Sequence, residues 1–242
     1  VLASTGKQTF DTIHDEGART VAKAAKAAGA RTFVHISAIG ADAQSNSRYA
    51  RSKAEGERAV LEEFPGAVIL RPSIVFGPED EFFNRFAAMA RMSPFLPLIG
   101  GGKTKFQPVY VGDVAAAVKA VVDGKAKPGA IYELGGPEVL SFRELLDRTL
   151  QYAGRDRFYL GLPFWAAKLQ AIATSPLPNA LRPVTLDQIR LLQRDNVVSK
   201  AAIDEGRTLA GLGILHPHSV ASIVPSYLER FKPKGQYASY RG

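Results

Sequence analysis

Cysteine is absent from the 242 residues, so neither a disulfide nor a thiolate metal site is available, which fits a reducing compartment. Long hydrophobic runs are absent too. The longest apolar segment, Leu160 to Ala173, holds Pro163 and Lys168 and falls short of the roughly 20 residues a membrane-spanning helix needs. There is no signal-peptide pattern, no internal repeat and no low-complexity tract. No nucleic-acid module is recognisable and the basic residues are dispersed, which argues against nucleic acid as a partner. An initiator methionine is also missing. Val1-Leu2-Ala3 reads as the tail of a buried strand, so the expectation is a chain lacking material ahead of it.

What is present suffices for a core: 46% of the residues are hydrophobic, enough for one large or two small globular domains. The formal charge of +8 favours anionic neighbours, such as a phosphate-bearing cofactor, anionic lipid or an acidic partner surface.

The most informative stretch is Tyr49-Ala-Arg-Ser-Lys53, a Y-x-x-x-K twelve residues beyond Ser37, which ends the apolar run Phe33-Val-His-Ile-Ser37. Four residues are about one helical turn, so phenol and ammonium share a face. A phenol whose pKa is drawn toward neutrality can protonate a carbonyl oxygen, and a nearby cation favours the phenolate. Lys53 is the candidate cation, and the Ser37 hydroxyl can hold the substrate oxygen.

Around this pair, small and apolar residues at helical spacing predict a helix from Thr9 to Ala28, stopped by Gly29. A strand follows at Arg31 to Ser37. Ser47 is placed to cap a helix running to Phe64, and Ala67 to Leu70 forms the next strand. Helix and strand alternating in this rhythm imply parallel strands with right-handed crossovers, half of a doubly wound, Rossmann-type α/β sheet. Beyond Arg71-Pro72 the pattern predicts a helix over Glu79 to Met92, a Pro/Gly-rich loop over Ser93 to Gly102, a strand over Lys105 to Val111, and a helix capped by Asp113. A strand at Ile131 to Leu134 precedes a capping box at Ser141 and Glu144, opening a helix to about Ala153. Strand-like Phe158 to Leu160 and an apolar helix near Phe164 to Ala173 follow; a second capping box at Thr185 and Gln188 opens a helix to about Asp195. A helix from Ser219 to Arg230 and a basic tail from Lys232 to Arg241, with Tyr237 and Tyr240, close the chain. Gly100-Gly-Gly102 before Lys103 looks like a phosphate cradle but lacks the flanking strand and helix, so it reads as a hairpin. His14 and His35 read as packing residues. His216 and His218 have no carboxylate or cysteine at ligand spacing, and no metal is expected.

The order of these pieces resembles the extended and atypical short-chain dehydrogenase/reductase superfamily: Ser37, Tyr49-x-x-x-Lys53, Leu70-Arg-Pro-Ser-Ile-Val-Phe-Gly-Pro78, Pro108-Val-Tyr-Val-Gly-Asp-Val114 and Tyr132-Glu-Leu-Gly-Gly136. The resemblance implies Tyr49 as acid/base, Lys53 on the nicotinamide ribose, and Pro72, Ser73 and Ile74 lining the nicotinamide pocket. Finer phrases, among them Ser37-Ala-Ile-Gly-Ala-Asp42, Ser47-Arg-Tyr-Ala-Arg-Ser-Lys53 and Lys105-Phe-Gln-Pro-Val-Tyr-Val111, resemble the dehydrogenase-like accessory subunits of respiratory NADH:ubiquinone oxidoreductase (complex I). That branch implies tight NADP(H) or NAD binding without turnover and other complex I subunits as partners. It also implies peripheral membrane or quinone contact on the cytoplasmic or mitochondrial-matrix side of the inner membrane.

Two departures shape the expectations. The G-x-x-G-x-x-G loop that seats a pyrophosphate on a helix N-terminus is absent, so cofactor binding by this chain alone is expected to be weak or absent, with roughly 80 to 90 residues expected before Val1. Ala38 stands where relatives that catalyse redox or epimerase chemistry carry a hydroxyl, which leaves Ser37 reading as a structural strand-end serine. The alternative is an NAD(P)-dependent reductase or epimerase acting on a quinone-biosynthesis or nucleotide-sugar intermediate. Residues 1–78 read as the second half of a dinucleotide-binding domain and residues 79–242 as a mixed region. In the latter, Rossmann elements return at about 105–153, before a smaller C-terminal substrate-domain-like part at about 155–242.

Overall fold

The computed structural model describes residues 10–175 and 184–233; the expectations for Val1 to Ala3, for the proline-rich stretch after Ser175 and for the tail beyond Pro233 lie outside them. Within these residues, strand β2 (Val68–Pro72) lies between β1 (Val34–Ile36) and β7 (Ile131–Leu134), parallel to both. Val34 stands opposite Val68, Leu70 opposite Tyr132, and Pro72 opposite Leu134. Side chains alternate across a strand, so Ala67 and Ile69 take one face and Val68 and Leu70 the other. The first pair meets Ala22 of α1 (Gly17–Ala27) and Val60 of α2 (Arg48–Glu63). The second meets Ala117, Ala120 and Val121 of α4 (Val111–Val122), which follows α3 (Phe83–Met92). A sheet covered by helices on both faces is the doubly wound arrangement, and it explains why the β2 sequence is a continuous apolar run. Ile69 and Leu70 are fully buried, each contributing about 1.5–3 kcal/mol.

A second apolar cluster joins Phe76, Phe83, Leu98, Leu145, Val224 and Leu228. These come from β3 (Val75–Phe76), α3, β4 (Phe95–Ile99), α5 (Phe142–Tyr152) and α8 (Val220–Leu228). Both predicted capping boxes form: Ser141 with Glu144 opens α5, and Thr185 with Gln188 opens α7 (Leu186–Leu191).

Four expectations are corrected. The segment from Ser93 to Gly102 is not all loop: β4 pairs in parallel with β9 (Phe158–Leu162), Phe95 opposite Phe158 and Ile99 opposite Leu162. Pro97 hides the strand because proline cannot donate to a ladder, yet a two-stranded ribbon has edges that tolerate it. The strand expected at Lys105 to Val111 breaks in two around Gln107-Pro108. β5 (Lys105–Phe106) runs antiparallel to β8 (Leu140–Ser141), and β6 (Val109–Tyr110) parallel to β3. Gly100–Gly102 is a 3-10 turn between strands with different partners rather than a hairpin, and its glycines take φ of 61°, 69° and 69°. A Cβ on Gly100 would stand 2.3 Å from the Phe164 ring, so glycine is required twice over. The helix from Thr185 stops at Leu191, because the chain turns there to pair with β5: Asp195 accepts from the Lys105 N–H at 2.8 Å, and Asn196 N–H donates to the Lys105 carbonyl at 2.8 Å.

Candidate cofactor-facing site

The Tyr49 helix is fastened at its start by two residues. Ser47, in extended backbone, accepts from the Ala50 N–H at 3.2 Å as the sequence predicts. α2 carries no acid in its own first turn, and Asp187 of α7 supplies one. Its Oδ1 accepts from the Arg48 N–H at 2.7 Å; its Oδ2 accepts from the Tyr49 N–H at 3.0 Å and the Ser47 hydroxyl at 2.8 Å. A carboxylate here answers unpaired amides and the positive helix end together. Asn at position 187 keeps one acceptor and aims an amide donor at other donors. Asp187→Asn is therefore expected to cost about 2 kcal/mol in chemical denaturation, and a loss of under about 0.5 kcal/mol would contradict this anchor.

Tyr49 is half-buried, its ring edge-on to Phe10 at 6.0 Å and to His14 at 5.6 Å. His14 is buried, and its Nδ1 lies 3.0 Å from the Ser52 hydroxyl, which donates to the Tyr49 carbonyl. Since that hydroxyl spends its one proton on the carbonyl, His14 Nδ1 is the donor. These contacts come from the segment before α1, where Asp11–Glu16 is wound as a π-helix and packs against Gly56 of α2.

Burial pushes the Tyr49 phenol up to about 12, opposite to the lowering that Y-x-x-x-K chemistry requires. The Lys53 ammonium is 5.9 Å from the Tyr49 ring centre and donates instead to the Ile36 carbonyl at 3.3 Å. Burial draws Lys53 below its ordinary value, with Glu57 opposing. In this arrangement Lys53 ties α2 to the end of β1.

The carboxyl ends of β1 and β2 gather the remaining candidates, and ligands of open parallel sheets bind outside such ends. Ser37 donates its N–H to Leu70 at 2.7 Å; its buried hydroxyl has no partner among the described residues. Pro72 is buried and accepts from the Ile39 N–H at 2.9 Å. The Ser73 hydroxyl is taken by Asn196, lying 2.6 Å from its Oδ1 and 2.9 Å from its carbonyl, while Asn196 Nδ2 donates to Ile39 at 3.0 Å. Ile74 packs against the second apolar cluster.

His35 sits in β1 with Nε2 buried and unpartnered among the described residues. Burial, then the Lys53 charge, lowers its pKa below 6.5, with Glu57 opposing. The unfolded chain then takes up a proton near the ordinary value that the folded chain refuses, so stability falls as pH drops below it. The His35 contribution to the slope is at most about 1.4 kcal/mol per pH unit. Urea midpoints from about pH 7.5 to about 5.5 are expected to show this extra slope in the native chain and not in His35→Gln; parallel profiles would contradict it.

Asp113, read from sequence as a cap of its own helix, does something else. α4 begins at Val111 without a side-chain cap, and buried Asp113 accepts from the His218 N–H at 2.7 Å and lies 2.8 Å from its Nδ1. The carboxylate fastens the start of the C-terminal helix segment to α4. Asp187 and Asn196 went unnoticed in the sequence as well. Asp187 had a signal, an acid in the first turn of a boxed helix, but nothing marks a helix 138 residues away as the one it serves.

The chain matches the family described as the RmlD substrate binding domain over residues 3–187. It is 41% identical over 184 residues to the NADH dehydrogenase (ubiquinone) 1 alpha subcomplex subunit 9, mitochondrial, of Arabidopsis thaliana, covering 72% of this chain and 46% of that protein. It is 27% identical over 231 residues to the NADH-ubiquinone oxidoreductase 40 kDa subunit, mitochondrial, of Neurospora crassa, covering 95% and 58%. The chain thus spans about half the length of these relatives. Among solved structures it resembles the UDP-glucuronic acid 4-epimerase from Bacillus cereus, determined with UDP-glucuronic acid and NAD, at a TM-score of 0.65. Identity there is 20%, with 95% of this chain and 72% of that one covered, a likeness of fold. The doubly wound sheet, the Tyr49 helix beside it and a family match running from residue 3 to residue 187 agree: the chain belongs to the RmlD substrate binding domain family, of the short-chain dehydrogenase-like Rossmann type.

Proposed function

We propose that this chain is part of an NADP(H)-binding accessory or assembly subunit of respiratory complex I that holds its cofactor without turning it over. The observation carrying the reading is the 41% identity to a complex I subunit across 184 residues of this chain. The site supports the binding half. Ser37 presents a buried hydroxyl without a partner among the described residues at the end of β1, a position a nicotinamide or ribose group can satisfy. Lys53 stands beside it at Ile36. Such a cofactor would supply hydride chemistry; what the chain's own residues do is bind and orient it. Against turnover stand the Tyr49 phenol, held protonated by burial at neutral pH, and Ala38 in place of a second hydroxyl.

An exposed apolar face gives a subunit somewhere to dock. Phe158, Leu160 and Trp165 are 73%, 58% and 68% exposed on β9 and α6 (Phe164–Ala173). Large apolar groups left in solvent mark contact surfaces. No described helix is long and apolar enough to cross a membrane, so the attachment proposed is peripheral, on the matrix or cytoplasmic side. Purification of the respiratory enzyme under mild detergent is expected to retain this chain with bound NADP(H), and clean absence overturns the reading. Tyr49→Phe is expected to leave both unchanged. Hydride transfer by the full-length protein that disappears in Tyr49→Phe would establish a catalyst instead.

A further inference from the structure

Beside the start of α2 lies a cleft of about 620 Å3 that the nicotinamide reading does not use. One wall is Arg51 with the Ser45–Ser47 loop; the other is Lys168 of α6 with Arg190 and Arg194 at α7 and just beyond it. Four cations thus converge from three stretches of chain, and no carboxylate lines the space among the described residues. Their existing partners leave donors over. Arg51 Nη1 donates to the Ser45 carbonyl at 2.6 Å, and Arg194 Nη1 meets Asp42 at 2.8 Å. Arg190 reaches Asp187 only at 3.9 Å, and Lys168 has no hydrogen bond or ion pair among the described residues. Like charges in a concavity repel one another, and an anion relieves that repulsion while filling the free guanidinium forks.

We propose that this cleft binds a phosphate-bearing anion. A phosphate carries close to two negative charges and several acceptor oxygens, which the donors of three guanidinium groups and an ammonium can meet. Carboxylates carry half that charge. Trp165, Leu169 and Ile172 stand exposed on the helix that carries Lys168, so the phosphate has two sources to separate, a soluble phosphate compound and a phospholipid headgroup. The site is independent of the cofactor reading, since none of its cations belongs to the Tyr49, Lys53 and Ser37 set.

The test has two arms on the full chain. Inorganic phosphate is titrated calorimetrically at ionic strength held constant with chloride, and sedimentation is followed with phosphatidylcholine vesicles with and without phosphatidic acid. Saturable binding is expected in one arm at least, weakened roughly tenfold by Lys168→Gln and by Arg190→Gln. Lys168 has no hydrogen bond or ion pair to lose among the described residues, so its variant isolates binding from folding. Lys26→Gln, on α1 and away from the cleft, is expected to bind as the native chain does. Binding in the phosphate arm identifies a soluble ligand, and binding to phosphatidic acid vesicles alone identifies a headgroup. No saturable binding in either arm, or equal weakening by Lys26→Gln, overturns the proposal.

Discussion

Replacing Arg71 with methionine is expected to cost the chain about 3 kcal/mol, a large share of the 5–15 kcal/mol that holds a typical domain together. Arg71 lies on β2 and Glu57 on the inner face of α2; the guanidinium gives Nε to Oε1 at 2.8 Å and Nη2 to Oε2 at 2.6 Å. Glu57 is 4% exposed. Without the arginine its buried carboxylate loses both charge-assisted hydrogen bonds and keeps only the more distant Lys53 charge, and breaking such a pair from one side costs about 3–5 kcal/mol. The lower end applies because the Arg71 side chain is 20% exposed along a surface cleft, where water screens part of the interaction. Adding Glu57→Leu is expected to restore most of the loss, because an apolar pair of similar volume is often neutral against a buried ion pair. Urea denaturation of the three variants decides it. If Arg71→Met costs under about 1 kcal/mol, the pair is not what fixes α2 to the sheet.

That pair was invisible in the sequence, and the reason is general to this fold. What could be read there is local or periodic. Ser47 caps α2 because its hydroxyl serves an amide three residues on; the boxes at Ser141 and Thr185 form for the same reason. The apolar run at Val68 to Leu70 declared a strand covered on both faces. Beyond local range the signal fails. Asp113 obeys every rule for a helix cap and serves His218, and Asp187 opens one helix while anchoring another. Sequence can say that a carboxylate stands near a helix start, but which amides it meets is decided by packing. Pro97 masked a strand by the same local logic, since the rule that excludes proline from ladders holds for sheet interiors. At the site, the residue types and order around Tyr49, Lys53 and Ser37 were legible. The burial that pushes the phenol up was not, because it depends on Phe10 and His14 closing over the ring from another helix.

Gly56→Ala separates these two levels by the sign of one measurement. Gly56 lies inside α2, where helix propensity alone makes alanine better by about 1 kcal/mol. Packing says the reverse. A Cβ there would stand 2.0 Å from the His14 carbonyl oxygen and 3.0 Å from its carbon, both backbone atoms that cannot swing aside. The π-helical segment must move off α2, and overpacking of this kind costs about 1–3 kcal/mol and sometimes more. The net expectation is a loss of about 2 kcal/mol after the propensity gain is subtracted. The displacement should also be visible at Tyr49. Moving Phe10 and His14 away lets water reach the phenol, so its titration, followed by ultraviolet absorbance, is expected to fall from about 12 toward its ordinary value of 10.0. Gly161→Ala supplies the contrast, since a Cβ there meets nothing within 4 Å. It is expected to change stability by no more than about 0.5 kcal/mol. Should Gly56→Ala stabilise the chain and leave the phenol unmoved, α1 and its π-helical lead do not close over Tyr49, and the burial that argues for holding a cofactor rather than turning it over is lost with them.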